Sequence, residues 1–205
     1  MKIKEIVSAL ERFAPLPLQD GFDNAGLQIG LTEVEATGAL LCLDVTEAVL
    51  DEAIALGYNL VISHHPLIFK GYKSITGKDY VERCILKAIK NDIVIYSAHT
   101  NLDNAYGGVN YKIAEKIGLK NLQVLEPKEN SLQDDLTQAG ADVFITGEIK
   151  YHDYFGHEGD ILMAEIGHYE SEQYTKEIFY SIIRDLFPNF ALQSSKINTN
   201  PIKYL

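Results

Sequence analysis

The feature that most constrains the fold is a regular alternation of short apolar segments with amphipathic, helix-like segments. Short apolar runs bounded by Gly and polar residues are typical of strands. They recur at 26–30, 38–45, 59–63, 91–98, 121–125, 141–147, 159–167 and 189–195. Alternating strands and helices predict an α/β fold with layered, mostly parallel or mixed sheets and flanking helices.

The helix-like segments carry their own start and stop signals. The first 13 residues place their apolar side chains on one face at a period near 3.6, and two prolines follow. Thr46 is a suitable N-cap for the second helix, and Gly57 is placed to close it. Further helices are predicted at 79–92, 107–118 and 168–187.

The chain is predicted to form two similar lobes. The stretch 126–140 is acidic and rich in turn-forming residues, which is typical of a lobe boundary or an insertion point. We therefore expect a first α/β lobe at 1–128, a short bridge at 129–140 and a second lobe segment at 141–205.

Composition restricts the partners. The 205 residues are 46% hydrophobic, enough for a full core, and 18 basic against 29 acidic residues give a net charge of −11. This charge repels nucleic acid and anionic lipid, and no apolar run approaches the roughly 18 residues of a membrane span. We expect a soluble, cytoplasmic protein with no nucleic-acid or membrane partner. Cys42 and Cys84 lie in apolar runs and are expected to be core residues.

Histidines cluster at the predicted strand ends. In open α/β sheets, ligands bind beyond the carboxyl ends of the strands. Five of the six histidines follow such ends, namely His64, His65, His99, His152 and His168. The sixth, His157, lies among glycines and is interpreted as a surface-loop residue. This distribution predicts a functional site at one edge of the sheet.

The spacing of these residues favours a dinuclear metal centre. His64 and His65 are adjacent beyond a strand end and before a proline, so they can serve two neighbouring ions. His168 and Glu172 are four apart at a helix start and therefore share one face. Asp103 offers a bridging oxygen. A set of imidazoles and carboxylates favours Zn²⁺, Fe²⁺, Mn²⁺ or Co²⁺ over copper(I) or an iron–sulfur cluster.

A pair of divalent ions predicts hydrolytic chemistry. Two such ions can polarise one substrate oxygen and activate water. Their four positive charges exceed the two carboxylate charges, so an otherwise acidic protein gains a local site for a small anionic substrate. Glu148, His99 and His152 are the candidates for proton transfer.

Other catalytic classes lack their local motifs. The sequence contains no GxGxxG, GxxxxGK[ST], GxSxG or HExxH, which argues against dinucleotide, P-loop, α/β-hydrolase and zincin sites. The Gly107-Gly108 pair is compatible with an anion cradle or a helix-entry turn, and the turn is the favoured interpretation.

Several longer segments also resemble a known family. The chain is similar to the dinuclear-metal-centre hexameric proteins, the GTP cyclohydrolase 1 type 2 homologues, over about 1–128 and 139–205. The resemblance rests on DGFDNAGLQIG (20–30), LDVTEAVLDEAIALGYNLVISHHPLIF (43–69), YSAHTNLDNAYGGVN (96–110), ADVFITGEIKYHD (141–153) and IGHYESE (166–172).

This resemblance implies a two-lobed α/β fold, a toroidal homohexamer, a pair of divalent metal ions and opening of the guanine imidazole ring of GTP. Carried over by position, it implies the same five metal ligands, His64, His65, Asp103, His168 and Glu172. One departure is the bridge, because family members usually carry more sequence between the two halves.

Two functions remain open from the sequence. One is a metal-dependent hydrolase acting on a small phosphorylated or nucleotide substrate. The other is a non-catalytic, ring-forming protein whose metal pair serves regulation or partner docking.

Overall fold

A five-stranded mixed sheet forms the centre of the protein. The structure, a computed structural model, describes residues 1–123, 140–156 and 159–203. In the order of the chain, the strands of this sheet are β1 (Gly26–Ile29), β2 (Ala39–Cys42), β3 (Leu60–Ser63), β4 (Val94–Ser97) and β7 (Leu192–Ser194). A separate two-stranded sheet contains β5 (Val143–Thr146) and β6 (Leu162–Glu165).

The strand order in the large sheet is β1-β4-β3-β2-β7. Strands β4, β3, β2 and β7 are parallel, whereas β1 pairs antiparallel with β4 at one edge. Strands β5 and β6 are also parallel. The predicted α/β class with mostly parallel sheets is therefore confirmed.

The helices connect and cover these strands. They are α1 (Ile3–Phe13), α2 (Glu47–Leu56), α3 (Tyr80–Lys90), α4 (Thr100–Asp103), α5 (Val109–Ile117), α6 (His168–Glu172) and α7 (Thr175–Leu186). The predicted cap of α2 is confirmed, because Oγ1 of Thr46 accepts a hydrogen bond from the Val49 amide at 3.3 Å. Gly57 ends the helix with φ of 69°, a left-handed conformation that favours glycine.

The large sheet is buried on both faces, as the continuous apolar run at 38–45 predicts. Leu41 and Ile62 pack in one core cluster together with side chains of α1 and α7. Their neighbours Leu40 and Val61 point the other way, into a second cluster with side chains of α2 and α3. Successive side chains of a strand alternate between faces, so the two clusters form the layers on either side of the sheet.

Two predicted elements differ from the structure. The single helix predicted at 168–187 is two helices, separated by Gln173 and Tyr174. The Thr175 hydroxyl donates to the Glu172 carbonyl at 2.6 Å and replaces the continuing helical bond. Of the strand predicted at 121–125, the structure describes residues 121–123, and these do not form a strand. Asn121 has φ of 56°, which is incompatible with extended backbone.

The last elements of the chain return to the large sheet. Helix α7 packs against α1, and β7 pairs with β2 through Leu192 and Ala39.

The predicted bridge at 129–140 falls, except for Gly140, outside the described residues, and the division into two lobes stays a prediction. Within the described residues, every helix is too short or too polar to cross a membrane.

Candidate metal centre

The site lies beyond the carboxyl ends of β3 and β4. These strands end at the same level, because Ser63 and Ser97 are in register and their hydroxyl oxygens are 2.8 Å apart. His64 and His65 follow β3, whereas His99 follows β4 and Asp103 lies one helical turn further on, at the end of α4. Parallel pairing therefore brings the strand-end histidines together.

His64 is fixed in one tautomer. Its ring is fully buried, and Nδ1 lies 2.9 Å from the Ala98 carbonyl oxygen. A carbonyl only accepts hydrogen bonds, so Nδ1 donates, and in the neutral ring Nε2 keeps a lone pair. This Nε2 has no hydrogen-bond partner and lies 3.6 Å from Oδ1 of Asp103, which is also buried and unpartnered.

His65 lies between two carboxylates. Its Nδ1 is 2.7 Å from Oδ1 of Asp44, and its Nε2 is 2.9 Å from Oε2 of Glu172. Burial by itself lowers the pKa of His65, but the hydrogen bonds to Asp44 and Glu172 outweigh it and raise the pKa to about 9. In the metal-free protein a proton therefore occupies the Nε2 position that faces Glu172.

His168 completes a compact group with His65 and Glu172. Its Nε2 lies 3.0 Å from the same Oε2 of Glu172 and 3.2 Å from Nε2 of His65. Ligand atoms about 2.0–2.1 Å from a tetrahedral zinc ion are about 3.3 Å apart. The three atoms thus have the mutual spacing that ligands of one ion adopt.

His99 forms a second group with His64 and His65, whose ligand-capable atoms all lie within 4.8 Å of one another. Nδ1 of His99 donates to Oδ1 of Asp23 at 2.8 Å. The other oxygen of Asp23 accepts from both the amide and the hydroxyl of Thr100. Burial lowers the pKa of His99, so its ring is neutral at neutral pH.

The residues present fit divalent cations. Buried polar atoms without partners destabilise a protein by about 1–3 kcal/mol each. Nε2 of His64 and Oδ1 of Asp103 are two such atoms, and a cation would satisfy both. Burial also raises the pKa of Asp103 to about 6. Burial by itself raises the pKa of Glu172 too, but the hydrogen bonds from His168 and His65 outweigh it and lower that pKa.

The structure brings together all five residues predicted as metal ligands, and their role as ligands stays a prediction. Among the residues predicted for proton transfer, His99 belongs to the cluster. Glu148 is exposed, with Oε2 3.7 Å from Nδ1 of His168. His152 is also exposed, and its ring contacts are with Tyr151 and Phe155 of its own segment.

The Gly107-Gly108 pair has a packing explanation. Gly107 has φ of 75°, and a Cβ atom at Gly108 would collide with the Leu102 carbonyl. Both observations are expected for a tight entry into α5 and support the favoured interpretation of a turn. The predicted surface residue His157 lies outside the described residues.

Two residues of the site were missed by sequence reasoning. Asp44 follows β2 at the same sheet edge as the histidines, so the strand-end argument could have found it. Asp23 lies in a loop before β1 and contacts a histidine 76 positions away. No local pattern marks that contact.

These features define a class, α/β proteins whose strand-end histidines and carboxylates could hold a metal. The sequence model of the Duf34/NIF3 (NGG1p interacting factor 3) family matches residues 1–133 and 128–201, and the chain belongs to this family.

Relatives within the family are named GTP cyclohydrolase 1 type 2 homologs. The Clostridium perfringens protein is 32% identical over 230 residues, covering 84% of this chain and 87% of the relative. The Staphylococcus aureus (strain COL) protein is 43% identical over 130 residues, covering 63% of this chain but only 35% of the relative.

Solved structures show the same fold. Staphylococcus aureus protein SA1388 superimposes with a TM-score of 0.86 at 27% identity, over 100% of this chain and 99% of that one. A Bacillus cereus protein related to NIF3 gives a TM-score of 0.85 at 22% identity, over 100% and 99% of the two chains.

Proposed function

We propose that the protein is a divalent-metal-dependent hydrolase with a dinuclear centre, acting on a small phosphorylated or nucleotide substrate. The observation that carries this proposal is the position of Glu172. Its Oε2 lies within 3.0 Å of both His65 and His168 and 3.8 Å from the unpartnered Nε2 of His64. A single carboxylate oxygen that faces three imidazoles is suited to lie between two cations.

The ligand-capable side chains would divide between two cations. His65, His168 and Glu172 would hold one cation, and His64 with Asp103 would hold the other, with His99 nearby. When bound, divalent ions supply Lewis acidity, which activates water and neutralises charge on a phosphoryl or carbonyl oxygen.

Proton transfer falls to the chain's own residues. His99 donates through Nδ1 to Asp23, so its other ring nitrogen is free to accept a proton. Its lowered pKa keeps it in the neutral form required of a base. Glu148 and His152, both exposed, are further candidates for exchanging protons with solvent.

Charge favours a small anionic substrate. The chain carries a net charge of −11, which disfavours binding of a phosphorylated molecule away from bound cations. A nucleotide is the first candidate, because the Clostridium perfringens relative is named after GTP cyclohydrolase 1 type 2. We also propose a homohexamer, which light scattering can test.

The test is a metal-resolved activity screen. The protein is loaded separately with Zn²⁺, Mn²⁺, Fe²⁺ and Co²⁺ and assayed with GTP and a panel of phosphoesters. Turnover should disappear in His64→Ala and Glu172→Ala and persist in Glu115→Gln, which alters an exposed carboxylate on α5. Tight metal binding with no turnover would overturn the hydrolase and favour the non-catalytic, ring-forming adaptor.

A further inference from the structure

A row of aromatic rings runs from the protein surface to the candidate metal centre. The ring of Phe22 lies 6.3 Å from that of Phe69, centroid to centroid, and Phe69 meets His99 edge-on at 6.2 Å. His99 is in turn 5.2 Å from His64 and 5.5 Å from His65. The outer two rings are therefore connected to the cluster by direct ring contacts.

The two phenylalanines are exposed although their side chains are large and apolar. Phe22 is 67% and Phe69 45% solvent-accessible. Exposed apolar surface beside a polar site is typical of a place where a ligand binds.

Hydrogen bonds of neighbouring residues join the two loops that carry these rings. The side-chain amide of Asn24 donates to the Ile68 carbonyl at 2.6 Å, which ties the loop of Phe22 to the loop of Phe69. Asp23, next to Phe22, accepts from His99 and Thr100. The two loops are therefore held beside the cluster, which lowers the cost of ordering them when a ligand binds.

The adjoining loop differs in charge from the rest of the chain. Residues 66–78 contain three lysines and no acidic residue, and Lys70 directly follows Phe69. Two exposed aromatic rings, tilted by 46° to each other, a basic loop and a cation site together match a ligand that combines an aromatic ring with a phosphate group.

We propose that Phe22 and Phe69 form a stacking subsite for the heteroaromatic ring of the substrate, with its phosphate directed to the cation site. This inference rests on the proposed function for the identity of the site and narrows its substrate to ring-bearing phosphates. Simple phosphoesters lack the group that this surface binds.

The test compares two ligands that share a phosphate but differ in the ring. Zinc-loaded protein is titrated calorimetrically with guanosine monophosphate and with ribose 5-phosphate. The nucleotide should bind about tenfold more tightly, as expected for stacking of one base. Phe22→Ala and Phe69→Ala should remove this difference while leaving zinc content and ribose 5-phosphate affinity unchanged, and Phe69→Trp should retain it.

The matched control is Tyr180→Ala, which removes another exposed ring, on α7, that contacts Arg184. Circular dichroism and light scattering verify the fold and the assembly of each variant, and Phe69→Leu replaces any alanine variant that does not fold. Equal affinity for the two ligands, no binding of either, or a difference that survives in the double variant would overturn the subsite. A changed oligomeric state with unchanged nucleotide preference would also overturn it and assign the rings to an interface.

The titration and the activity screen together separate the subsite from the proposed function. Ring-dependent binding without any turnover would contradict the hydrolase and retain the subsite. Turnover of phosphoesters without a preference for ring-bearing ligands would retain the hydrolase and contradict the subsite.

Discussion

The carboxylate of Asp44 lies 2.7 Å from Nδ1 of His65, on the side of the ring opposite Glu172. Asp44 is itself held by the hydroxyl of Thr199, near the end of the described chain. A hydrogen-bonded series thus links the C-terminal segment to the cation site. Carboxylates in this position orient a ligating imidazole and increase its basicity.

We predict that Asp44→Asn lowers metal affinity about 10- to 100-fold, the range found when such supporting groups are altered. Thr199→Val should have a smaller effect in the same direction, because it removes only the support of Asp44. Titration against a chelator of known affinity measures both variants. Unchanged affinity in Asp44→Asn would show that Asp44 does not support the cation site.

Metal binding should stabilise the protein, because the folded cluster presents ligand atoms that the unfolded chain does not hold together. At a free metal concentration 100 times the dissociation constant, the free energy of unfolding should rise by about 2.7 kcal/mol. Thermal unfolding with and without EDTA measures this change. The increase should be smaller in His64→Ala, which leaves the group of His65, His168 and Glu172 intact, and an equal increase there would exclude His64 as a ligand.

Asp23→Asn should lower the pKa of His99 further in the metal-free protein. Burial already lowers this pKa, and the hydrogen bond and negative charge of Asp23 oppose that effect. Without the charge of Asp23, burial lowers the pKa of His99 further. An NMR titration of the imidazole resonances measures the shift, and a pKa that rises would contradict the assigned contact.

Glu82 should contribute stability that depends on pH. Its buried carboxylate accepts from the Lys78 amide and from the amide and hydroxyl of Thr76, and these bonds lower its pKa from 4.5 to about 2. A lowered folded-state pKa means that the contribution is fully present above about pH 4.5 and is lost as the pH falls to about 2.

Glu82→Gln should therefore melt at a lower temperature than the wild type at neutral pH, and the difference should shrink between pH 4.5 and 2. Glu35→Gln, which alters an exposed carboxylate, is the control and should melt like the wild type throughout. A difference that grows on acidification would contradict the assigned bonds.

Phe179→Ala should lower the free energy of unfolding by about 3–5 kcal/mol, because it leaves a cavity in a packed core. Phe179 is fully buried and belongs to the cluster shared by the large sheet, α1 and α7. Leu186→Ala, on the exposed face of the same helix, should change it by no more than about 0.5 kcal/mol. Urea unfolding measures both, and similar values for the two would contradict the core assignment.

Some local features of the chain could be predicted from the sequence, and others could not. The cap of α2 at Thr46 and its end at Gly57 could be predicted because both depend on neighbouring residues. The prediction of one continuous helix at 168–187 was wrong. The Thr175 hydroxyl donates to the Glu172 backbone carbonyl, and hydrophobic periodicity does not reveal such a bond.

At the candidate site, the residue types could be predicted from the sequence, but the contacts between them could not. That imidazoles and carboxylates follow strand ends could be read from the residues alone, because residue type and strand periodicity are local properties. The contact between His65 and Glu172, 107 positions apart, and the pairing of β7 with β2 follow instead from how the whole chain packs. Such contacts depend on the order in which strands and helices pack into layers, and packing between distant segments leaves no pattern in either segment alone.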